Sequence, residues 1–448
     1  MAEEYDLIIV GGGISGASLL YAVANFSDVE RVALFEKEPE IGAINTAHTN
    51  NSQTLHFGDI ETNYSLEKAR SVKTGAETLA GYLEAADSDR SMHDRRSKMV
   101  IAVGEEEVDR LERRYHEKGF GDLYPKLELI DRDRIAELEP AVVEGRDPDL
   151  ELRALYTPDG YVVDYGETAQ SLVSAAESES GVDVHVDTPV EGIVETADGY
   201  AVRTSAGTAM ADGVVVSAGS HSLQFAKQLG YGQDMALLPV AGSFFLAEDF
   251  LNGKVYTLQM AKLPFAAVHG DADVHDASIT RFGPTAKPVP ELERGNLSTV
   301  SDFLDVFGFD APSFLSYLNI LADSVLLPYV LRNLVYDLPE LGTRAFLPQV
   351  QKVVPSATRE DIEPARGYGG IRPQIVDTRS HSLDMGEATI EGEDIIFNIT
   401  PSPGASTCLK NAKRDAKSVM DFLDGDYEFD EAAFDAATID NFPRADES

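Results

Sequence analysis

The sequence contains a single cysteine, Cys408, among its 448 residues. One thiol excludes an intramolecular disulfide and every zinc cluster that is built from cysteines. We interpret Cys408 as a buried packing residue, because a free cysteine behaves as a small apolar side chain. No metal site is predicted.

The sequence also lacks long apolar runs. No stretch approaches the roughly 18 consecutive apolar residues that a transmembrane helix needs, although the hydrophobic fraction is an ordinary 43%. Residues 1–10 carry no basic region, apolar core or cleavage site of a secretory signal, and run directly into a strand-like stretch. We therefore expect a cytoplasmic protein without a membrane span.

Basic residues are scarce, with 37 lysines and arginines against 77 aspartates and glutamates and a formal net charge of -40. Such a surface repels phosphate groups, so we exclude nucleic acid as a partner. The acids are spread along the whole chain. We interpret them as a halophilic adaptation that keeps the surface hydrated in a salt-rich cytoplasm, where the Debye length is about 3 Å at 1 M salt. A few acidic loops, such as residues 425–431, are the alternative.

A glycine-rich turn stands near the start of the sequence. Gly11, Gly13 and Gly16 have G-x-G-x-x-G spacing between a predicted strand at residues 5–10 and a predicted helix at residues 15–25. These glycines permit a tight turn, a close approach of backbone amides to a pyrophosphate, and close packing of the helix. A second strand, residues 32–36, ends at Glu36, which suits an adenosine ribose. The sequence predicts a Rossmann-type βαβ unit over residues 5–36.

FAD is preferred over NAD as the ligand of this unit. The unit lies at the N-terminal end of the sequence, and a later series of predicted strands returns to it. These strands cover residues 182–186, 192–195, 200–204 and 213–217, and the last leads into Ala218 and Gly219. The carboxylate of Glu36 disfavours a 2′-phosphate.

The length of the chain favours two intertwined domains, because one hydrophobic core usually stops growing at a smaller size. The predicted fold is α/β, with a Rossmann-type FAD-binding domain interleaved with an antiparallel-sheet (α+β) substrate domain. Alternating runs between residues 239 and 285 favour the antiparallel sheet. The predicted segments are an FAD-binding domain at 1–80, 161–235 and 351–430, a mainly helical cap at 81–160, the substrate domain at 236–350 and an acidic tail at 431–448.

The most apolar region, residues 303–338, is predicted to be helical. Asp323 and Arg332 interrupt it, and Pro328 is expected to break its middle. We expect a buried pair of helices. A patch that docks on a membrane surface is the alternative.

Six further segments resemble the malate:quinone oxidoreductases, a family within the flavin-dependent amino-acid and 2-hydroxy-acid oxidases. The segments are residues 50–58 (Asn-Asn-Ser-Gln-Thr-Leu-His-Phe-Gly), 238–244, 262–271, 280–286, 369–374 and 400–406. The resemblance implies oxidation of (S)-malate to oxaloacetate in the tricarboxylic acid cycle. It also implies a membrane quinone as electron acceptor and a peripheral contact with the inner face of the cell membrane.

The chain is similar to the shorter branch of this family, because the longer branch carries Gly-Trp-Asn-Asn-Ala-Gly-Thr-Gly-His where this sequence has residues 46–56. The L-2-hydroxyglutarate dehydrogenases share a similar Asn-Ser-x-x-x-His-x-Gly stretch. Asn51, Ser52 and His56 therefore mark the 2-hydroxy-acid branch, and an FAD-dependent dehydrogenase or oxidase of L-2-hydroxyglutarate or another 2-hydroxy acid is the alternative.

Oxidation of an alcohol beside a carboxylate needs a base for the hydroxyl proton and a cationic clamp for the acid. His269, at the end of an apparent strand, is the favoured base, and His56 is the alternative base or a flavin or substrate contact. Arg372 and Arg281 are the candidate clamps, because a guanidinium grips a carboxylate with two hydrogen bonds. A structural salt bridge is the alternative for each arginine.

Residues 400–407 resemble the flavin loop of the family, where amides at a helix N-terminus face the flavin ring and stabilise its reduced form. A plain N-capped helix is the alternative. The predicted FAD contacts are Gly11, Gly13, Ser15, Gly16, Glu36, Lys37, Asn51, Ser52, Val190, Ala218, Gly219, Gly370, Pro403, Gly404 and Ala405.

Overall fold

The structure is a computed structural model that describes residues 3–443, except residues 118, 260–266, 385, 424 and 426. The strands, in chain order, are β1 (Glu3–Val10), β2 (Val32–Phe35), β3 (His93–Arg95), β4 (Lys98–Val103), β5 (Glu128–Asp131), β6 (Leu152–Thr157), β7 (Tyr161–Val163), β8 (Val182–His185), β9 (Val190–Thr196), β10 (Gly199–Thr204), β11 (Gly207–Val216), β12 (Met235–Ala241), β13 (Phe245–Glu248), β14 (Lys254–Thr257), β15 (His269–Ala272), β16 (Ile279–Gly283), β17 (Lys287–Pro288), β18 (Glu363–Pro364), β19 (Ile371–Asp377), β20 (Ser382–Asp384), β21 (Ala388–Glu391) and β22 (Ile395–Ile399).

The α-helices are α1 (Ile14–Phe26), α2 (Leu66–Ala86), α3 (Glu105–Glu117), α4 (Phe120–Leu123), α5 (Arg132–Leu138), α6 (Pro140–Val143), α7 (Tyr165–Glu177), α8 (Ser222–Gln228), α9 (Val300–Phe307), α10 (Ala311–Ala322), α11 (Leu326–Tyr336), α12 (Leu341–Val353), α13 (Cys408–Phe422) and α14 (Glu431–Ala437). Short 3-10 helices occupy His48–Asn50, Gly219–His221, Leu297–Thr299, Arg359–Asp361 and Ile439–Asn441.

The first sheet has the strand order β21-β22-β11-β1-β2-β8. Neighbours in this order are parallel except the edge pair β21 and β22, and β10 joins the sheet through antiparallel pairs with β11 and β9. Leu7, Ile8 and Ile9 in β1 are fully buried, as expected for a parallel strand that is covered on both faces. Helix α1 packs against α7 and α13 on one face, and β9 and β10 share the core of the other. The Rossmann-type part of the predicted fold is confirmed.

The predicted elements of this domain agree closely with the observed ones, and β11 shows the largest difference. It begins at residue 207 rather than 213, because β10 and β11 form a hairpin whose turn lies at residues 205–206. Gly207 follows that turn with a positive φ of 147°, a conformation that glycine adopts without strain. The extra residues pair with β10 along its whole length.

The remaining large sheets form the second part of the molecule. A four-stranded sheet has the order β17-β12-β19-β20, and an eight-stranded sheet has the order β18-β13-β16-β15-β14-β4-β6-β5. Their strand pairs are antiparallel, apart from β14 with β4. This agrees with the predicted α+β substrate domain. Residues 81–160, which we predicted to form a mainly helical cap, contribute strands β4, β5 and β6 to the eight-stranded sheet.

The apolar region forms three helices, α9, α10 and α11, rather than a buried pair. The break between α10 and α11 lies at residues 323–325, where Asp323 accepts hydrogen bonds from the amides of Val325 and Leu326. Pro328 stands in the first turn of α11, where no intrahelical donor is lost. The expectation that Pro328 breaks the helix is therefore wrong.

These helices also expose apolar side chains, so the expectation of burial is wrong. Among the described residues, 12 of the 15 large apolar side chains that are strongly exposed fall between residues 297 and 341. On α11 they recur on one face, at Leu327, Leu331, Leu334 and Val335. No helix in the described ranges is both long and apolar enough to cross a bilayer.

Cys408, at the start of α13, is buried in the core beside α1, as predicted. Burial raises the pKa of its thiol to about 12. The thiol is therefore protonated and unreactive at neutral pH.

Candidate active site

The glycine-rich turn between β1 and α1 has little room for side chains. A Cβ atom on Gly11, whose φ is 106°, would lie 2.6 Å from the carbonyl oxygen of Ser217, which directly follows the neighbouring strand β11. A Cβ on Gly16 would lie 1.9 Å from the carbonyl oxygen of Gly11, so α1 rests directly on the turn. Gly13 is the N-cap of α1 and offers no side chain to its first amides. The amide of Ser15 has no hydrogen-bond acceptor within the described part of the chain, and it remains available to an anion.

Glu36 closes the other side of the turn. Its side chain accepts hydrogen bonds from the amides of Gly12 at 2.6 Å and Glu38 at 2.8 Å. Burial raises the pKa of Glu36, and the two amides oppose that rise. The neighbouring Lys37 forms an ion pair with Glu293.

Glu293 and its partner His221 also lie at this end of the site, and the sequence did not predict them. The Nε2 atom of His221 lies 2.9 Å from a carboxylate oxygen of Glu293. Burial opposes the charge of Glu293, but hydrogen bonds from His221 and Lys37 lower its pKa to about 2. This end of the site therefore holds a fixed negative charge beside Lys37.

A cavity of about 560 Å³ extends from this turn. Nearly all of the predicted FAD contacts line it, although they come from seven separate stretches of chain. They are Gly11, Gly13, Ser15, Glu36, Lys37, Asn51, Ser52, Val190, Ala218, Gly219, Gly370, Pro403, Gly404 and Ala405. Gly16 lies behind the turn, where its role is to let α1 approach.

Two loops form the far wall of the cavity. Asn51 holds the first loop together, since its side-chain amide donates to the carbonyl oxygens of Asn45, Thr46 and Ala47. In the second loop, residues 400–407, the amide of Ala405 has no acceptor among the described residues. Thr407, the N-cap of α13, makes no side-chain capping bond. The free amide of Ala405, just ahead of this helix N-terminus, could donate a hydrogen bond to an acceptor atom on a bound flavin ring.

The residues present fit FAD. A glycine turn without side chains and a free helix N-terminus suit a pyrophosphate, and a buried acid at the end of β2 suits a ribose. The loop at residues 400–407 lies in the same cavity and offers an amide to the flavin end.

His56 lies beyond these loops and lines two adjoining cavities, the large one and a second of about 60 Å³. Its Nδ1 atom lies 2.6 Å from a carboxylate oxygen of the buried Glu61. Burial opposes the charge of Glu61, but the hydrogen bond from His56 and the nearby charges of His56 and Lys98 lower its pKa to about 2. The carboxylate therefore holds the ring through Nδ1, and Nε2 is the ring nitrogen that this contact leaves available.

Arg372 also lines both cavities. It lies half-buried on β19, and burial lowers the pKa of its guanidinium, which nevertheless remains charged at neutral pH. Lys68 lines the smaller cavity as well, with its Nζ atom 4.7 Å above the ring of Tyr64. Two cationic side chains therefore share the cavity in which His56 lies.

His269 is in the wall of the smaller cavity, where its ring stacks on Tyr256 at a centroid distance of 4.3 Å. Burial lowers the pKa of His269 to about 3. Its ring is therefore neutral and a weak base at neutral pH. This placement favours His56 over His269 as the base.

Arg281 is fully buried and lies outside the lining of both cavities. Its guanidinium donates to the carbonyl oxygens of Asn51 at 2.6 Å and His48 at 3.3 Å, and lies 3.5 Å from Asp273. We predicted from the sequence that Arg281 and Arg372 both clamp the substrate carboxylates. The placement of Arg281 favours the alternative, a structural salt bridge. Arg281 anchors the loop that contains Asn51.

A buried hydrogen-bond network behind this loop was not predicted. The Nζ atom of Lys254 lies 2.9 Å from the hydroxyl of Thr54 and 3.1 Å from the carboxylate of Asp271. The same hydroxyl lies 2.6 Å from that of Tyr256. Burial lowers the pKa of Lys254 to about 8, which Asp271 opposes. Because Thr54 and Lys254 are 200 residues apart, no local pattern connects them.

The chain matches the family model for FAD dependent oxidoreductases over residues 6–408. It is 39% identical to a probable malate:quinone oxidoreductase from Campylobacter jejuni, over 98% of this chain and 99% of the relative. It is 27% identical to the mitochondrial L-2-hydroxyglutarate dehydrogenase of Caenorhabditis elegans, over 92% of each chain.

Solved structures show the same fold at lower identity. Glycine oxidase from Geobacillus kaustophilus superposes with a TM-score of 0.65 at 20% identity, over 96% of this chain and 98% of the other. The L-α-glycerophosphate oxidase of Mycoplasma pneumoniae, solved with FAD bound, gives 0.64 at 16% identity, over 94% and 95% of the two chains.

Proposed function

Because the chain belongs to the malate:quinone oxidoreductase family of FAD-dependent oxidoreductases, we propose that it oxidises (S)-malate to oxaloacetate and passes the electrons to a membrane quinone. FAD is its cofactor. The reaction would serve the tricarboxylic acid cycle and the respiratory chain.

One observation about the site carries this proposal. His56, held by Glu61, and Arg372 line both the FAD cavity and the smaller cavity that adjoins it. The candidate base, the candidate carboxylate clamp and the predicted flavin end of the cofactor site are therefore close to one junction. Those are the three groups that oxidation of a 2-hydroxy acid requires.

Each side chain at the junction has a distinct part in the proposed reaction. Arg372 binds the carboxylate beside the reacting carbon with two hydrogen bonds. Lys68 neutralises the second carboxylate of the dianion. His56 removes the hydroxyl proton at Nε2, and Glu61 stabilises the charged ring that results. When bound, FAD supplies the acceptor for the hydride from C2.

Oxidation of L-2-hydroxyglutarate is the alternative, supported by a relative of lower identity. The two substrates differ by one methylene group, so the size of the small cavity decides between them. Anaerobic addition of (S)-malate to the purified enzyme should bleach the flavin absorbance within one turnover. L-2-hydroxyglutarate and L-lactate should bleach it far more slowly. Faster bleaching by L-2-hydroxyglutarate than by malate would contradict the proposal.

The exposed face of α10 and α11 is the proposed site of contact with the membrane that holds the quinone. Phe314, Leu315 and Leu318 on α10 extend the apolar face of α11. The opposite face of α11 carries Tyr329, whose hydroxyl interacts with the charge of Arg372. In this proposal the helix lies between a bilayer and the active-site wall. The inner face of the cell membrane is the side that the family resemblance implies.

Co-sedimentation with lipid vesicles in concentrated salt tests this contact. The double variant Leu315→Glu, Leu331→Glu should reduce the bound fraction at least about tenfold, since each change places a charge on the apolar face. Leu150→Glu, at a residue that is also strongly exposed but lies outside this face, is the matched control. Equal sedimentation of all three proteins would refute the membrane contact and leave the malate proposal standing.

A further inference from the structure

Two histidines and an aspartate meet outside the active site. The Nε2 atom of His275 lies 2.7 Å from the Oδ2 atom of Asp164, and the Nδ1 atom of His48 lies 3.4 Å from the same oxygen. All three ligand atoms lie within 4.8 Å of one another. The two rings meet edge to face, with their centroids 4.9 Å apart.

The surroundings of Asp164 orient its carboxylate for this meeting. Asp164 is the N-cap residue of α7, and its Oδ1 atom accepts hydrogen bonds from the amides of Gly166 and Glu167. The side chain is only 3% exposed, whereas those of His48 and His275 are each 38% exposed. One carboxylate oxygen is thus fixed by the helix, and the other faces both imidazoles from a buried position.

The backbones of the two histidines are also held in place. The carbonyl oxygen of His48 accepts hydrogen bonds from the side chains of Gln53 and Arg281. The amide of His275 donates to Asp273, which also accepts a hydrogen bond from Gln53. The two histidines therefore stand on one buried hydrogen-bond network and project towards the same oxygen.

We propose that His48, Asp164 and His275 bind a divalent transition-metal ion, with zinc as the best fit. Imidazole nitrogens and a carboxylate oxygen are ligands that zinc takes at about 2.0–2.2 Å, which places neighbouring ligand atoms about 3.3 Å apart in a tetrahedron. The atoms observed here span that separation. On binding, rotation of the two exposed rings would bring the ligand atoms to this separation, and water would complete the coordination.

The ion would join three segments that are distant in the sequence. His48 belongs to the loop that lines the FAD cavity, Asp164 caps a helix that packs on the nucleotide-binding sheet, and His275 follows a strand of the eight-stranded sheet. A bound ion would therefore fix the cofactor loop against both parts of the molecule. The site does not touch the reacting groups, so its proposed role is to stabilise the fold around FAD.

Calorimetric titration with zinc chloride tests the site, using the intact FAD-bound protein after chelator treatment and in concentrated potassium chloride. We expect one equivalent to bind tightly and raise the melting temperature. His48→Gln and His275→Gln should each weaken that binding at least about tenfold. Asp164→Asn should do the same, although it keeps the oxygen that caps α7.

His116→Gln, at an exposed histidine on α3, is the matched control and should bind zinc like the unaltered protein. Unchanged melting temperatures of the metal-free variants would show that they are folded. Zinc X-ray absorption should show two imidazole ligands. Loose binding of many equivalents that is equal in all variants would overturn the proposal, because it would indicate general attraction to an acidic surface.

Discussion

The two ends of the long cavity are built in different ways. The adenosine end is formed mainly by one contiguous stretch, residues 8–36, in which backbone amides and the absence of side chains make room for the ligand. Only a few side chains from elsewhere, among them His221 and Glu293, complete it. The reacting end is assembled from side chains on distant segments, among them His56, Lys68, His269 and Arg372. Binding at the adenosine end depends on the space that the glycines leave, whereas the chemistry at the reacting end depends on the pairing of buried charges.

This difference predicts which changes each end tolerates. At the adenosine end a methyl group added at Gly11 or Gly16 meets backbone and cannot be accommodated, whereas exchanges of polar side chains other than Glu36 should matter little. At the reacting end the volume of a side chain matters less than its charge and its hydrogen bonds. Substitutions that preserve shape but alter charge should therefore separate the two ends.

The largest effect is expected for Gly16→Ala. The added Cβ would lie 1.9 Å from the carbonyl oxygen of Gly11, so α1 must move away from the turn that it closes. We expect the purified variant to retain little FAD, as measured by the ratio of flavin to protein absorbance, and to be inactive.

Gly104→Ala is the control for this change. Gly104 has a positive φ of 85°, but a Cβ there meets nothing within 4 Å. This variant should lose about 1–2 kcal/mol from backbone strain alone and keep its FAD. Full retention of FAD by Gly16→Ala would show that the turn is more pliable than the structure indicates.

The fold of the adenosine end could be predicted because its constraints are local. The glycine spacing, the apolar strand and Glu36 are all visible within 32 residues. At the reacting end, the segment with His56 was identified, but its partner Glu61 lies in a loop without periodicity. The sequence also ranked His269 above His56, because it does not reveal how deeply each ring is buried. Likewise, the spacing of leucines in α11 predicts an apolar face but not whether that face is covered.

At the reacting end, His56→Gln should have the largest effect. A glutamine amide can still donate to Glu61, but it cannot accept the hydroxyl proton from the substrate. We expect kcat to fall about 10³-fold, within the range for loss of a general base, while the FAD content stays normal. Activity within tenfold of the unaltered enzyme would exclude His56 as the base.

The two arginines should respond differently to replacement by lysine. Arg372→Lys keeps the charge and loses the second hydrogen bond to the substrate carboxylate, so kcat/KM for malate should fall about 10²-fold at an unchanged melting temperature. Arg281→Lys should instead lower the melting temperature, because the guanidinium holds the loop at Asn51. Steady-state kinetics and thermal melts of the two variants measure both quantities. The reverse pattern would restore Arg281 to the active site.

Lys68→Met tests whether the smaller cavity recognises a second carboxylate. The methionine keeps most of the volume and removes the charge, so KM for malate should rise about tenfold. The slower reduction of the flavin that we expect with L-lactate, which has one carboxylate, should change little. An equal loss on both substrates would mean that Lys68 acts on the fold of the cavity rather than on the substrate.

The smallest effect is expected for His269→Gln, and it separates the two histidines through pH. Burial lowers the pKa of His269 to about 3, so its ring is neutral in the folded enzyme at every pH from 5 to 9. A group that does not titrate in this range contributes nothing to the shape of the profile of kcat/KM. The variant should lose a few-fold in rate, because its stacking on Tyr256 is lost, and should keep the pH dependence of the unaltered enzyme. A flattened profile would instead show that the proton passes through His269. In that case the ion pair of His56 with Glu61 would not be the feature that distinguishes the reacting end from the adenosine end.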